Sequence, residues 1–504
     1  MRVEAFLRES AAADPAGMAV VADGMRLSYA KLDGLSDRLA ASLRARGVLR
    51  GDRVVLFMEN VWETPVAIFA VLKAGAVFCP VNPSVKADWL GQIMRDCRPS
   101  AVLTQAKYTR LCAEAAGALR PLVISARGVG PSEADVVAFE DCISAPAEVS
   151  SAEAGIDADL AMLIYTSGTT GRPKGVMMTH ASIDAASASI AAYLGSTADD
   201  VVLGLLPFSF TYGLYQLFVT IRRGGRLVLA KSFAFPHAVI ETARAEGVTG
   251  LPLVPTIAAM LLSMKELTPD SLPALRYVTN AAAPLPPSHV EGLRALFPEA
   301  KLYLMYGLTE CARAAFLPPE ELDRRPGSVG KAIPNTEAYV VGEDGRPVGP
   351  DVVGELVVRG PHLMRGYWEN AEATDAALRP GANPWEKVLH TGDLFTADEE
   401  GFLTFVGRKD DMLKIRGEKV APRQVEAVLH ACPGVAEAVV TGVPDGILGL
   451  ALHAVIVPSD PPPSERDVLR HCARGLPDFM VPKTIEFRSA LPRTASGKVV
   501  RRLV

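Results

Sequence analysis

Apolar positions along this chain keep switching between two spacings. In LSYAKLDGLSDRLAASLRARG they recur every three or four residues and the run closes on a glycine, which predicts a helix. DRVVLFM, just behind it, is short and continuously apolar, which predicts a buried strand. VAIFAVLKAG and AVFCPVNP repeat the pair, so the chain from residue 26 to 75 and just beyond reads as α/β. The alternation returns in VVLGLLPF, HAVIETARAEGVTGLPLVP, PALRYVTN, HVEGLRALFP and KLYLMYG, and predicts a second wound sheet within residues 160 to 310.

From about residue 325 the texture changes. GSVGKAIPNTEAYVVGEDGRPVGPDVVGELVVRGP contains short strand signals divided by Gly-Pro and Asp-Gly turns, and predicts a β-rich lobe over about 325–409. Beyond GRKDDMLKIRG, alternation resumes in PRQVEAVLHA, VAEAVVTGV, ALHAVIVP, ERDVLRHCARGL and TIEFRSA. The expected fold class is therefore multi-lobed α/β. A large N-terminal domain, 1–409, carries wound sheets and the β-rich lobe, and a small α+β domain, 410–504, follows.

Length agrees, because 504 residues exceed what one growing core accommodates. A formal charge of -5 gives no general attraction to nucleic acid or to an anionic membrane surface. The seven cysteines are scattered, odd in number and without a C-x-x-C pair, so neither a disulfide framework nor a zinc site is expected. MRVEAFLRESAAADPAG lacks the apolar core of a signal peptide, and no apolar run approaches the roughly 18 residues that a membrane span needs. A cytoplasmic protein is expected.

LIYTSGTTGRPKGVMMTH, residues 163 to 180, holds the clearest chemistry. An apolar strand enters a loop of glycines, hydroxyls, one arginine and one lysine, and an apolar strand leaves it. Gly168, Gly171 and Gly175 let backbone N–H groups converge on oxyanions; Thr166, Ser167, Thr169, Thr170 and Lys174 add donors. Lys174 precedes a glycine and a strand-like segment rather than Ser or Thr and a helix, so this phosphate loop is not of the G-x-x-x-x-G-K-[ST] kind. A polar hairpin without a ligand would not need so many donors in one loop.

YTSGTTGRPKG resembles the phosphate-loop signature of the acyl-adenylate-forming enzymes, which include acyl-CoA synthetases, peptide-synthetase adenylation domains and luciferase. Further motifs follow in that family's order, so the resemblance covers essentially the whole chain. MYGLTE, 305 to 310, implies that Tyr306 stacks on adenine beside Gly307, that Thr309 meets the α-phosphate, and that Glu310 binds Mg²⁺, a cation usually held by one or two carboxylates plus phosphates. LHTGDLF implies a ribose clamp at Asp393, with Arg408 as a second contact and Asp410 as the hinge. KIRGEK implies a thiol channel that passes Gly417, and PRTASGKVV places Lys498 as the catalytic lysine. Apart from that context, Glu310 and Lys498 would read as solvated surface residues.

What the resemblance implies is a two-step reaction. A carboxylic acid is joined to AMP at the expense of ATP, with release of pyrophosphate, and the acyl group then passes to the thiol of coenzyme A. LLPFSFTYGLYQLF places Phe210 and Thr211 at the acid pocket. Thr211 stands where amino-acid-activating relatives often carry aspartate, and an unpaired buried ammonium is costly, so fatty, aryl or alicyclic acids are expected. Phe208, Tyr212 and Tyr215 read equally as ordinary core. Ala281 and Ala282, in TNAAAPLP, replace glycines common in the family and narrow the pocket; Leu450 replaces a frequent glutamate of the small domain. Competing expectations are an acyl carrier protein as acceptor, a nucleotide-binding sensor without catalysis, and luciferase-like oxidation.

Overall fold

A computed structural model of the protein describes residues 1–129, 135–144, 155–167, 173–415, 418–445, 449–493, 499 and 501. The chain divides into two compact units. One comprises Met1–Arg324, Ala332–Glu337 and Val358–Leu389; the other comprises Arg325–Lys331, Ala338–Val357 and His390–Val504.

Two wound sheets build the first unit. One runs in the order Gly366–Tyr367, Pro173–Thr179, Leu160–Ser167, Val77–Pro80, Arg53–Phe57, Ala101–Gln105, Leu122–Ala126, Val136–Ala138. Its members from Leu160–Ser167 onward pair in parallel, Val55 lying opposite both Cys79 and Val102. Phe57, Cys79, Leu90, Met94 and Val102 pack into one buried cluster, and each such side chain contributes about 1.5–3 kcal/mol by leaving water.

The second sheet runs Ala315–Leu317, Lys301–Tyr306, Tyr277–Asn280, Gly250–Leu253, Val201–Gly204, Arg226–Leu229, Met18–Ala22, Met25–Ser28. Here the sequence expectation needs correction. The strands Leu160–Ser167 and Pro173–Thr179 complete the first sheet, although they fall inside the stretch assigned to the second, and residues 18–28 supply the second sheet's edge. Ala161–Ile164 are buried in succession, as suits a strand covered on both faces, and such a run carries no record of its partner.

Helix ends are set by local chemistry. Ser28 Oγ accepts the Lys31 N–H at 3.2 Å and starts the helix Tyr29–Ala45. Thr179 and Ser182 cap the helix His180–Leu194 reciprocally, which fixes how the chain leaves the phosphate-loop hairpin.

In the second unit a sheet runs Glu337–Val341, Gly354–Arg359, Lys387–Ala397, Leu403–Arg408, Ser328–Ala332. The C-terminal part folds the helices Pro422–His430 and Glu465–Gly475 with the strands Val435–Asp445, Gly449–Pro458 and Thr484–Phe487. Val425, Leu429, Val440, Ile456, Val468 and Cys472 form its core, and Leu450 packs at the edge of it. Unanticipated was a short helix of the first unit, Ala371–Ala377, started by the Asn370 side chain accepting the Ala373 N–H. Among the described residues no helix is long and apolar enough to cross a membrane.

Candidate active site

The phosphate-loop hairpin holds Thr166 opposite Lys174 and Tyr165 opposite Gly175. Gly175 serves packing here: a Cβ would stand 3.1–3.2 Å from the Tyr165 ring, which is itself fixed by the Tyr165 hydroxyl donating to Asp96 Oδ2 at 2.6 Å. Lys174 Nζ lies 5.2 Å from the centroid of the Tyr367 ring. Gly168, Thr169 and Thr170, and the Ser167 side chain, lie outside the described residues.

The strand Lys301–Tyr306 carries the second motif to its end. Tyr306, Gly307, Thr309 and Glu310 are half-buried there. The chain then doubles back so tightly that a Cβ on Gly307 would lie 2.5 Å from the Ala312 carbonyl oxygen, so only glycine fits without movement. Tyr367 donates its hydroxyl to Glu310 Oε1 at 2.7 Å, and the Glu310 carbonyl accepts the Met364 N–H at 2.7 Å. One tyrosine thus connects the ammonium of the first motif with the carboxylate of the second. Among the described residues neither Lys174 nor Glu310 forms an ion pair.

Sequence reasoning missed Tyr367. Its signal was the Gly-Tyr-Trp at 366–368: Gly366 takes φ +140°, and Gly366 and Tyr367 pair with Met177 and Val176 beside the phosphate loop.

A different arrangement occupies the second unit. Asp393 and Arg408 face each other across antiparallel strands, and Arg408 Nε donates to Asp393 Oδ1 at 2.7 Å. Glu355, also missed, lies nearby in the same sheet. The His390 imidazole, 3.4 Å away, and then Lys409 Nζ at 3.1 Å and the Gly392 N–H at 3.1 Å hold its carboxyl down at about 2 against the desolvation that opposes them. Asp410 is exposed in the turn Lys409–Asp411. Gly417 and Lys498 lie outside the described residues.

Of the acid-pocket residues, Phe210 and Thr211 are half-buried at the start of the helix Thr211–Arg222. Phe208, Tyr212 and Tyr215 are buried. The Tyr212 hydroxyl donates to the Thr279 carbonyl at 2.8 Å, which ties this helix to the strand that leads to Ala281 and Ala282. Ala281 is buried, whereas Ala282 is exposed and takes φ +72°, a conformation that glycine adopts without strain.

Comparison with known proteins agrees over nearly the whole length. A family model described as AMP-binding enzyme matches residues 7–368, and one described as AMP-binding enzyme C-terminal domain matches residues 424–498. A long-chain-fatty-acid–CoA ligase of Escherichia coli O157:H7 is 32% identical, over 95% of this chain and 90% of its own length. A feruloyl-CoA synthase of an Amycolatopsis species is 33% identical, over 97% of this chain and 95% of its own. The o-succinylbenzoate CoA synthetase of Bacillus subtilis, solved with its acyl-adenylate intermediate, superposes with a TM-score of 0.87 at 28% identity, covering 99% of this chain and 97% of that one.

Proposed function

The chain belongs to the AMP-binding enzyme family and is an AMP-forming acyl-CoA synthetase; on that premise we propose how its residues share the two half-reactions and which acids it takes. One observation carries the reading. Lys174 and Glu310, each without an ion-pair partner among the described residues, share Tyr367 at the end of an apolar sheet. An ammonium over the ring of one tyrosine and a carboxylate at its hydroxyl, each without an ion-pair partner among the described residues, suit a ligand that brings both anionic oxygens and a cation, as ATP with Mg²⁺ does.

The residues present fit that ion. With Glu310 Oε1 engaged by Tyr367, Oε2 is the oxygen that would hold Mg²⁺, which supplies charge neutralisation on the phosphates when bound. In the first half-reaction the substrate carboxylate oxygen bonds to the α-phosphorus of ATP, the bond to the bridging oxygen breaks, and pyrophosphate leaves. Lys174 and Lys498 offset the negative charge that accumulates, Thr166 and Thr309 donate to phosphate oxygens, and Tyr306 stacks on adenine. Asp393 accepts from the ribose hydroxyls, and Arg408, whose Nε donates to Asp393 Oδ1, aims that carboxylate and adds a second ribose contact.

In the second half-reaction the CoA thiolate attacks the acyl carbonyl carbon and AMP departs. We assign the pivot between the two steps to Asp410 and the thiol's path to Gly417. The acid carries no ammonium, because no carboxylate stands at Thr211 to pair with one. A cytoplasmic setting, where ATP and CoA are both at hand, suits the reading.

The test is ATP- and acid-dependent pyrophosphate release over a panel of fatty, aryl, alicyclic and amino acids, with and without CoA. An acyl-CoA product is expected. Lys498→Ala should lower adenylation by about 10²–10³ or more while still making thioester from supplied acyl-AMP. Adenylate without thioester would instead make a carrier protein the acceptor, and silence across the panel would sink the reading.

A further inference from the structure

Three residues beyond Glu310, Arg313 is turned into the first unit and only 3% exposed. Its Cζ stands 5.0 Å from the centroid of the Tyr212 ring, and its neighbours are the phenols of Tyr193, Tyr212 and Tyr215. Its Nε has no hydrogen-bond partner, nor has the buried Tyr215 hydroxyl. Among the described residues Arg313 forms no ion pair. A guanidinium cannot shed its proton inside a protein, so this is a permanent cation in a low-dielectric site. An aromatic face offsets part of that cost, but an anion is the partner that would offset the rest.

The backbone is arranged to keep it there. Ala312 is buried with φ +59°, a left-handed conformation that is unfavourable for alanine, and the turn it makes lies against Gly307 so closely that a Cβ there would be 2.8 Å from the Arg313 Cα. A residue whose charge served only solubility would need neither the burial nor the strained turn. Placement identifies the side of the site it serves: Arg313 packs on Tyr212, from the helix that begins at Phe210 and Thr211, and Tyr212 is bonded to Thr279 just ahead of Ala281.

We infer that Arg313 binds a second carboxylate on the acid, so that the enzyme activates dicarboxylic acids in preference to plain fatty or aryl monoacids. The inference rests on the acid-activating reading above and names the substrate class of that same site.

The experiment compares acids in pairs that differ by one carboxylate, butyrate with succinate, hexanoate with adipate and benzoate with isophthalate. kcat/KM for acyl-CoA formation is measured with the wild type, Arg313→Lys and Arg313→Met. The wild type should favour the diacid of at least one pair by about 10²-fold or more; Arg313→Met should abolish that ratio and Arg313→Lys retain part of it. Wild-type ratios near one or in favour of the monoacid in every pair would overturn the inference, as would a diacid preference that a folded Arg313→Met keeps. Because the wild-type ratios are decisive, a variant that fails to fold leaves the inference exposed to refutation. Should no acid at all be turned over, the ligase reading fails, and thermal melts with AMP present decide this one: stabilisation by adipate but not hexanoate upholds it, and its absence refutes it.

Discussion

The candidate-site charges of the two units are handled in opposite ways, although the first unit pairs others, such as Arg127 with Glu63. In the first, Lys174 rests on the face of Tyr367, Glu310 has a phenol for company and Arg313 is ringed by tyrosines, with no ion pair to any of them among the described residues. In the second, Asp393 is met by Arg408, and Glu355 by Lys409 and His390. A charge already neutralised by its neighbour costs little to hold and shapes the sheet around it. One left uncompensated costs stability and is retained where a ligand completes it. On the proposed reading, Lys174, Glu310 and Arg313 are kept for the reaction, whereas pairs such as Arg127 with Glu63 in the first unit and Lys409 with Glu355 in the second serve the fold.

The largest break in that contrast is expected at Glu310. Glu310→Gln should lower pyrophosphate release by about 10²-fold, with a melting temperature close to wild type, since it removes no ion pair; stopped-flow or coupled pyrophosphate assays alongside thermal melts separate the two quantities. A variant that melted early but turned over normally would reverse the assignment.

Asp393→Asn should act on both. KM for ATP is expected to rise roughly tenfold, as the loss of one charged hydrogen bond to ribose would cause, and stability to fall by about 1 kcal/mol, because the Arg408 side chain is 44% exposed and water replaces part of what it loses. ATP titration of initial rates, with denaturant unfolding of the same protein, checks the pair of effects.

The smallest effect sharpens the fold side alone. The Glu355 carboxyl is held at about 2 in the folded protein against 4.5 when free, with the His390 contact as the largest cause. The folded state thus binds its proton less readily than the unfolded chain does. The stability Glu355 contributes is fully present above pH 4.5 and is lost as pH falls toward 2. Glu355→Gln should accordingly unfold more readily than wild type at pH 7, and the gap should narrow as the pH is lowered through that window. A gap independent of pH would show that the pairing contributes nothing.

The motif loops could be found in the sequence because their chemistry demands particular residues at fixed spacing. YTSGTTGRPKG, MYGLTE and the Asp393 and Arg408 positions each announce a donor, a carboxylate or a pair, and the structure sets Asp393 directly against Arg408. Tyr367 was not legible, since its role depends on Gly366–Tyr367 joining the edge of a sheet whose neighbouring strand lies almost two hundred residues earlier. Arg313 was not legible for a related reason: an arginine at a turn reads as surface until the turn is seen to point inward.

What the sequence determined by itself is the alternation of helices and strands, the reaction type and which residues are candidates for the nucleotide site, because helix and strand periods and motif spacing are local properties of the chain. What only the tertiary structure decided is partnership. Leu160–Ser167 belongs to the first sheet and Met18–Ala22 to the second, Lys174 and Glu310 share Tyr367, and Arg313 stands buried without a carboxylate. Hydrogen-bond ladders, burial and the compensation of charge are set by residues distant in sequence, and an apolar run or a lone arginine does not encode which of them it will meet.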